Sequence, residues 1–259
     1  MKSVTIALGV AVIVFAGGGV GLLLQRGLPE KLTTGGARDM IGAVAGLVMF
    51  LFALVLGLLI WTAYGVYAGQ NTAIQNFAAQ VLNEDVALSN FGPEAAPRRA
   101  QILQGLARTI DQMWGARNDQ DFVARNYQAA VENLRTGQAS LDALQPSTDS
   151  QRMALAAANQ AHAAVAQIRL QMALALTNPI SYPLLTIVVG WATFVFCGFG
   201  LMSRSNPMAF AAAAVGAAAV ASAVYLILDL SDPYGGLFQA SSVPIEKVMR
   251  DISTRLDVE

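Results

Sequence analysis

Four apolar stretches, each long enough to cross a bilayer, occupy more than a third of this chain and come in two pairs around a polar middle. They run from Val4 to Leu24, Ile41 to Ala68, Tyr182 to Ser203 and Met208 to Leu230. A hydrocarbon core of roughly 30 Å takes about 20 helical residues to span. No Lys or Arg falls inside the four stretches, and the one acid, Asp229, stands in the last turn of the fourth. A soluble helix would carry a polar stripe at the 3.6-residue period, whereas these are apolar all round. The pattern predicts a multi-pass, all-α membrane protein: two transmembrane helical hairpins plus a helical extramembrane domain.

The bulk numbers agree. Over 259 residues only 13% are charged, and the mean hydropathy is +0.49, which is membrane-class composition. The net charge of −1 argues against a nucleic-acid partner, which needs a basic patch. The lysines are Lys2, Lys31 and Lys247, none of them in the polar middle. The single Cys197 lies in the third stretch, so no internal disulfide can form and the redox compartment cannot be read. Lys2 followed by an apolar run resembles a signal peptide. The run is longer than a usual signal core, however, and Leu22-Leu23-Leu24 stands where cleavage would fall, so a retained helix is expected.

The second stretch has no clear stop. Ile41 to Ala68 would give roughly 42 Å of helix, and Thr72 to Leu88 contains no Pro or Gly while Ile74, Phe77, Val81 and Leu88 recur at helical spacing. One long helix leaving the bilayer as a stalk is expected, ended by Gly92-Pro93. Three more helices follow. Ile102, Leu103, Leu106, Ile110 and Met113 mark the first, which ends near Gly115. Phe122, Tyr127, Val131 and Leu134 mark the second, capped by Asp119 or Asp121. The third runs from Ser150 to Leu176, with Ser147 or Asp149 as its cap and Met153, Val165, Ile168 and Met172 as core positions; Asn178-Pro179 closes it. A last amphipathic helix is expected from Pro244 to Leu256. The domains read as 1–69 (first hairpin), 70–178 (helical extramembrane domain), 179–230 (second hairpin) and 231–259 (tail). Trp61, Tyr64, Tyr67, Tyr182 and Tyr225 suit an interfacial belt.

Two segments flanking the spans carry a resemblance. One is Leu56-Gly57-Leu58-Leu59-Ile60 through Gln70-Asn71, followed by Phe91-Gly92-Pro93-Glu94-Ala95. The other is Leu228-Asp229-Leu230-Ser231-Asp232-Pro233-Tyr234-Gly235-Gly236-Leu237-Phe238, followed by Ser241-Ser242-Val243-Pro244. Both resemble the bacterial bestrophin-like family of four-span integral membrane proteins, whose function is largely unassigned, and the resemblance covers nearly the whole chain in order. The chain departs from the family pattern at Asp85-Val86, where an Asp-Arg pair is frequent, and at Ser231, where a second acid is frequent. Distant kinship to true bestrophins, which are pentameric anion channels, implies a non-enzymatic homo-oligomer passing small anions. It also implies a helical domain inside the cell, whereas Arg26, Lys31, Arg38 and Arg204 on the opposite short loops favour the reverse. Both orientations stay open.

No catalytic set is legible: HExxH, GxSxG, a phosphate-binding glycine loop and Cys/His metal spacing are all missing, and no cofactor is implied. His162, within Ala161-His162-Ala163-Ala164, has no second histidine to work with and reads as a plain helical residue. Asp229 and Asp232 share a helix face at the negative end of the fourth span, where carboxylates are disfavoured unless a cation or a basic side chain compensates. They are candidates for a cation site or an ion pair between helices or subunits. The competing reading is an interface marker followed by a helix stop. If a pore exists its wall carries no charged ring, so an apolar neck that gates by dewetting is expected, with Met49, Phe50, Phe52 and Phe194 as candidates; the same residues also suit a lipid face or a bundle core. Small residues at Gly17 and Gly21, Gly42 and Gly46, Gly65 and Gly69, and the runs Ala211 to Ala214 and Gly216 to Ala219 allow close helix approach within the bundle or between subunits. A different class of function also fits: a membrane-anchored interaction or sensory module whose helical domain binds a partner. An exposed apolar stripe on that domain would favour it.

Overall fold

The computed structural model describes residues 2–27, 36–115, 122–176, 182–203 and 207–256, and among them every regular element is helical. The elements are α1 (Lys2–Gly27), α2 (Gly36–Phe91), a 3₁₀ turn (Pro93–Ala95), α3 (Ala96–Trp114), α4 (Phe122–Asp142), α5 (Asp149–Ala175), α6 (Tyr182–Met202), α7 (Pro207–Leu230) and α8 (Val243–Leu256). Helices α1, α2, α6 and α7 are long and apolar enough to cross a membrane. The chain forms two compact units. One comprises Met1–Val66, Pro179–Asp232 and Gly236–Phe238; the other comprises Tyr67–Asn178, Pro233–Gly235 and Gln239–Glu259.

In the first unit α1 packs against both α6 and α7. The core is aliphatic and small: Val10, Val14, Leu185, Ala192, Ala217, Val220, Val224 and Leu228, with Phe52 and Phe196 leaning on it. Glycine sets the closest approach. A Cβ on Gly21 would overlap the Cys197 carbonyl oxygen, and one on Gly17 would stand 2.7 Å from Cγ2 of Thr193. A Cβ on Gly216 would come within 2.7 Å of the Phe196 ring. These small residues therefore serve packing inside the unit, where lipid offers no hydrophobic drive and close contact must supply the attraction. Gly46 and Gly65 instead face open space.

Helix α2 has 56 residues, roughly 84 Å at 1.5 Å each, so the stalk expected from the missing stop is present. Ile74, Phe77, Val81 and Leu88 are all buried in the second unit. Gly92 ends the helix at φ 119°, a conformation that side chains with a Cβ avoid. The Gln151 side-chain amide donates to the Phe91 carbonyl at 3.0 Å, satisfying one of the acceptors a helix end leaves open. In α3, Ile102, Leu106 and Met113 are buried, and Leu103 and Ile110 pack beside them. Helix α8 buries Ile245, Val248 and Ile252 against the same single core. There Trp114 donates to the Ala240 carbonyl at 2.7 Å and meets Tyr234 edge-on at 5.3 Å.

Three expectations need correction. The cap of α5 is Thr148, not Ser147 or Asp149: its extended backbone aims the hydroxyl at the Gln151 N–H, 3.1 Å away. Gln151 reaches back to the Ser147 N–H at 2.9 Å, so Thr148-x-x-Gln151 works as a variant of the capping box. On α5 the buried face is Ala154, Ala158, Ala161, His162, Arg169 and Met172, while Met153 is exposed. On α4 it is Phe122, Asn126, Ala130, Gly137 and Leu141, while Tyr127 and Leu134 are exposed. Helices α4 and α5 meet through small residues, which a search for large apolar side chains passes over. The expected caps Asp119 and Asp121 and the expected stop Asn178-Pro179 lie outside the described residues.

Candidate functional site

The densest polar constellation stands at the elbow between α2 and α3. Gly92 and the 3₁₀ turn fold α3 back along the end of α2, so residues fourteen apart face each other. Glu84 Oε1 lies 2.5 Å from Arg98 Nη2, and Asp85 Oδ1 lies 2.8 Å from Arg99 Nε. Asp85 and Arg99 are 0% and 1% exposed. Two arginines in the first turn of α3 oppose the helix dipole, and the two acids at the end of α2 offset them. Arg255 of α8 adds a looser approach to Asp85 at 3.9 Å.

His162 of α5 joins this cluster. Its Nε2 lies 3.3 Å from the Leu134 carbonyl, which can only accept, and its Nδ1 lies 3.1 Å from Arg98 Nη2, which can only donate. The contacts together select the Nε2–H tautomer. Glu84 Oε1 is 3.4 Å from Nδ1. Gly137 makes room for this: a Cβ there would overlap the imidazole and stand 2.9 Å from Arg98 Nη2. Sequence reasoning missed the cluster. Its only signal was an acidic pair followed by a basic pair across Gly92-Pro93, and the pairing depends on a turn angle that periodicity does not give.

Beside the cluster lies a cavity of about 280 Å³, walled by α2, α3, α4 and α5 and lined by Glu84, Arg98, Arg108, His162 and Arg169 among apolar and neutral polar side chains. Burial pushes the Arg169 guanidinium below its ordinary pKa.

The residues expected from sequence are placed as follows. Asp229 is 2% exposed, and its Oδ2 accepts the backbone N–H of Leu237 at 3.0 Å and of Phe238 at 2.9 Å. Gly236, at φ 83°, lies so close to the carboxylate that a Cβ would overlap it. Asp229 thus anchors the loop that follows it. The Asp232 N–H donates to the Asp229 carbonyl at 3.1 Å, closing the turn after α7. Met49 and Phe52 line an apolar cavity of about 550 Å³ together with Phe196 and Phe199. Phe194 lines a separate one of about 380 Å³ with Met40, Ile41 and Val44. Phe50 borders neither and is 61% exposed. A single subunit therefore does not bring the four together.

Four membrane-length helices and a helical unit continuing from the second of them define an all-α integral membrane protein of bestrophin fold. Residues 12–245 match the family model of the bestrophin-like domain, and the chain belongs to that family. Among solved structures, a bacterial bestrophin homologue from Klebsiella pneumoniae is similar, with a TM-score of 0.70 at 11% identity over 95% of this chain and 99% of that one. Another, described as a membrane protein, gives 0.72 at 12% identity over 96% and 98%. A further structure of the Klebsiella pneumoniae homologue gives 0.67 at 11% identity. At these identities the likeness is one of fold. No curated relative matches.

Proposed function

We propose that copies of this chain assemble around an axis into a channel for small anions in the bacterial inner membrane. The observation that carries this is the surface of α2. Only 11% of its most apolar stretch is buried within the subunit, and Leu47, Met49, Phe50, Leu58 and Trp61 are all exposed. So large an apolar surface needs lipid on one side and leaves another side for neighbouring copies. Family membership and the bestrophin fold support the same assignment.

In the assembly Met49, Phe50, Phe52 and Phe194 from successive copies form an apolar neck, which passes ions only when wetted. The hairpins 1–69 and 179–230 make the membrane part of each copy, and 70–178 with the tail 231–259 the part outside it. With Asp229 held by its own loop, Asp232 is the acid at the end of the fourth span with which a cation or a basic side chain of a neighbouring copy would pair. Nothing in the assignment is enzymatic, and no cofactor enters it.

The test is chloride efflux from liposomes holding the purified protein, with its oligomeric mass measured in parallel. An oligomer that conducts, and that leaks faster when Phe50→Ala widens the neck, is the expected outcome. A strictly monomeric protein, or an inserted oligomer without flux, would sink the proposal.

A further inference from the structure

The cavity of the second unit contains a buried cation that no acid among the described residues pairs. Arg169 is 6% exposed. Its Nη1 touches the Met113 sulfur at 2.7 Å, a weak acceptor, and its guanidinium carbon lies 5.8 Å from the centroid of the Phe77 ring. Its Nη2 is buried with no hydrogen-bond partner among the described residues. A buried charge is costly unless paired, and a sulfur and a ring face replace only part of lost hydration. Among the described residues, the titratable groups lining the cavity include three arginines, Arg98, Arg108 and Arg169, against the single acid Glu84. Glu84 is already held by Arg98 at 2.5 Å. The positive excess is therefore carried by Arg169 inside and by the exposed Arg108. Phe77, Val81, Ile102, Leu106 and Val165 supply most of the apolar wall, beside the neutral polar side chains of Gln101, Gln104, Thr109, Asn133 and Thr136.

We infer that this cavity binds a small monocarboxylate with an apolar body, its carboxylate on the Arg169 guanidinium and its hydrocarbon against Leu106 and Val165. A guanidinium fork suits a carboxylate. At about 280 Å³ the space falls below the range of roughly 300–1,000 Å³ that takes drug-sized ligands, which limits the ligand to a short chain. The inference is independent of ion passage through the spans and stands whether or not the protein conducts.

The test is a thermal-unfolding titration of the full-length protein in detergent with sodium hexanoate, with hexan-1-ol and sodium chloride as matched controls. Hexanoate alone is expected to raise Tm saturably, and Arg169→Met to weaken binding roughly 10–100-fold, the worth of a charge-assisted hydrogen bond. Gly105 lines the same cavity and has open space where a Cβ would stand. Gly105→Leu should therefore fill the cavity and abolish the response while leaving Arg169 in place. An equal rise with hexanol or chloride would overturn the inference, as would a hexanoate response that survives in Arg169→Met. Should Arg169→Met not fold, a hexanoate response retained in Gly105→Leu would overturn it equally.

Discussion

Asp85 and Arg99 meet at 2.8 Å with neither side chain reaching solvent, across the turn that reverses the chain between α2 and α3. A buried ion pair of this kind specifies geometry more than it adds stability: its attraction is largely offset by desolvation of both charges. The asymmetry lies in breaking it. Asp85→Ala leaves Arg99 charged and buried, so a loss of about 3–5 kcal/mol is expected. Replacing both partners, Asp85→Leu with Arg99→Met, should recover most of that loss. Denaturant unfolding in detergent of the wild type, Asp85→Leu, Arg99→Met and the double variant, followed by circular dichroism, makes the cycle; additive losses would contradict the pairing.

Gly137 makes a sharper case, because local and tertiary effects have opposite signs. In the interior of α4, Gly→Ala should stabilise by about 1 kcal/mol through helix propensity alone. Here the new methyl would overlap His162 and crowd Arg98, and overpacking of that kind costs about 1–3 kcal/mol. Gly137→Ala is therefore expected to lower Tm. The variant Gly137→Ala with His162→Ala should regain stability relative to Gly137→Ala alone. A rise in Tm for the single variant would mean that the imidazole does not sit against α4.

Much of the fold was legible because it rests on large apolar residues at regular spacing. The spans, the stalk carrying Ile74, Phe77, Val81 and Leu88, and the tail helix with Ile245, Val248 and Ile252 all follow from that one signal. The inner faces of α4 and α5 were not legible, because Ala130, Gly137, Ala158 and Ala161 carry little hydrophobic weight and work by letting backbones approach. His162 looked plain because its partners, Arg98 and the Leu134 carbonyl, are remote in sequence and meet it only in the folded unit. Arg169 likewise gave no sign of burial. A charged residue late in an amphipathic helix is usually solvated, and only the packing of α5 shows otherwise.

Asp229 presents a different contrast. Its carboxylate receives the backbone N–H groups of Leu237 and Phe238, and hydrogen bonds to a charged group contribute about 1.5–3 kcal/mol. Asp229→Asn keeps the shape but loses the charge, so a moderate fall in Tm is expected. Gly236→Ala should cost at least as much, since it adds strain at φ 83° to overlap with the carboxylate. Limited proteolysis gives a second readout: cleavage in 233–242 should accelerate in both variants. Unchanged cleavage would place the anchor of this loop elsewhere.

Gly21 and Gly46 separate packing inside the subunit from packing between subunits. A side chain at Gly21 would strike the Cys197 carbonyl, and backbone cannot move aside as a flexible side chain can. Gly21→Val should therefore lower the stability of the subunit by about 1–3 kcal/mol or prevent its folding. Gly46 is exposed on α2, with nothing near its Cβ position. Gly46→Val should leave an isolated subunit intact, since Val is at least as good a helix former as Gly. If neighbouring copies pack closely on this face of α2, the valine separates the backbones, and the assembly should fall to smaller species at unchanged helix content. Mass measured by native mass spectrometry or light scattering, beside circular dichroism, distinguishes the cases. An unchanged oligomer in Gly46→Val would remove this face of α2 from the interface. A Gly21→Val protein as stable as the wild type would contradict the close approach of α1 and α6.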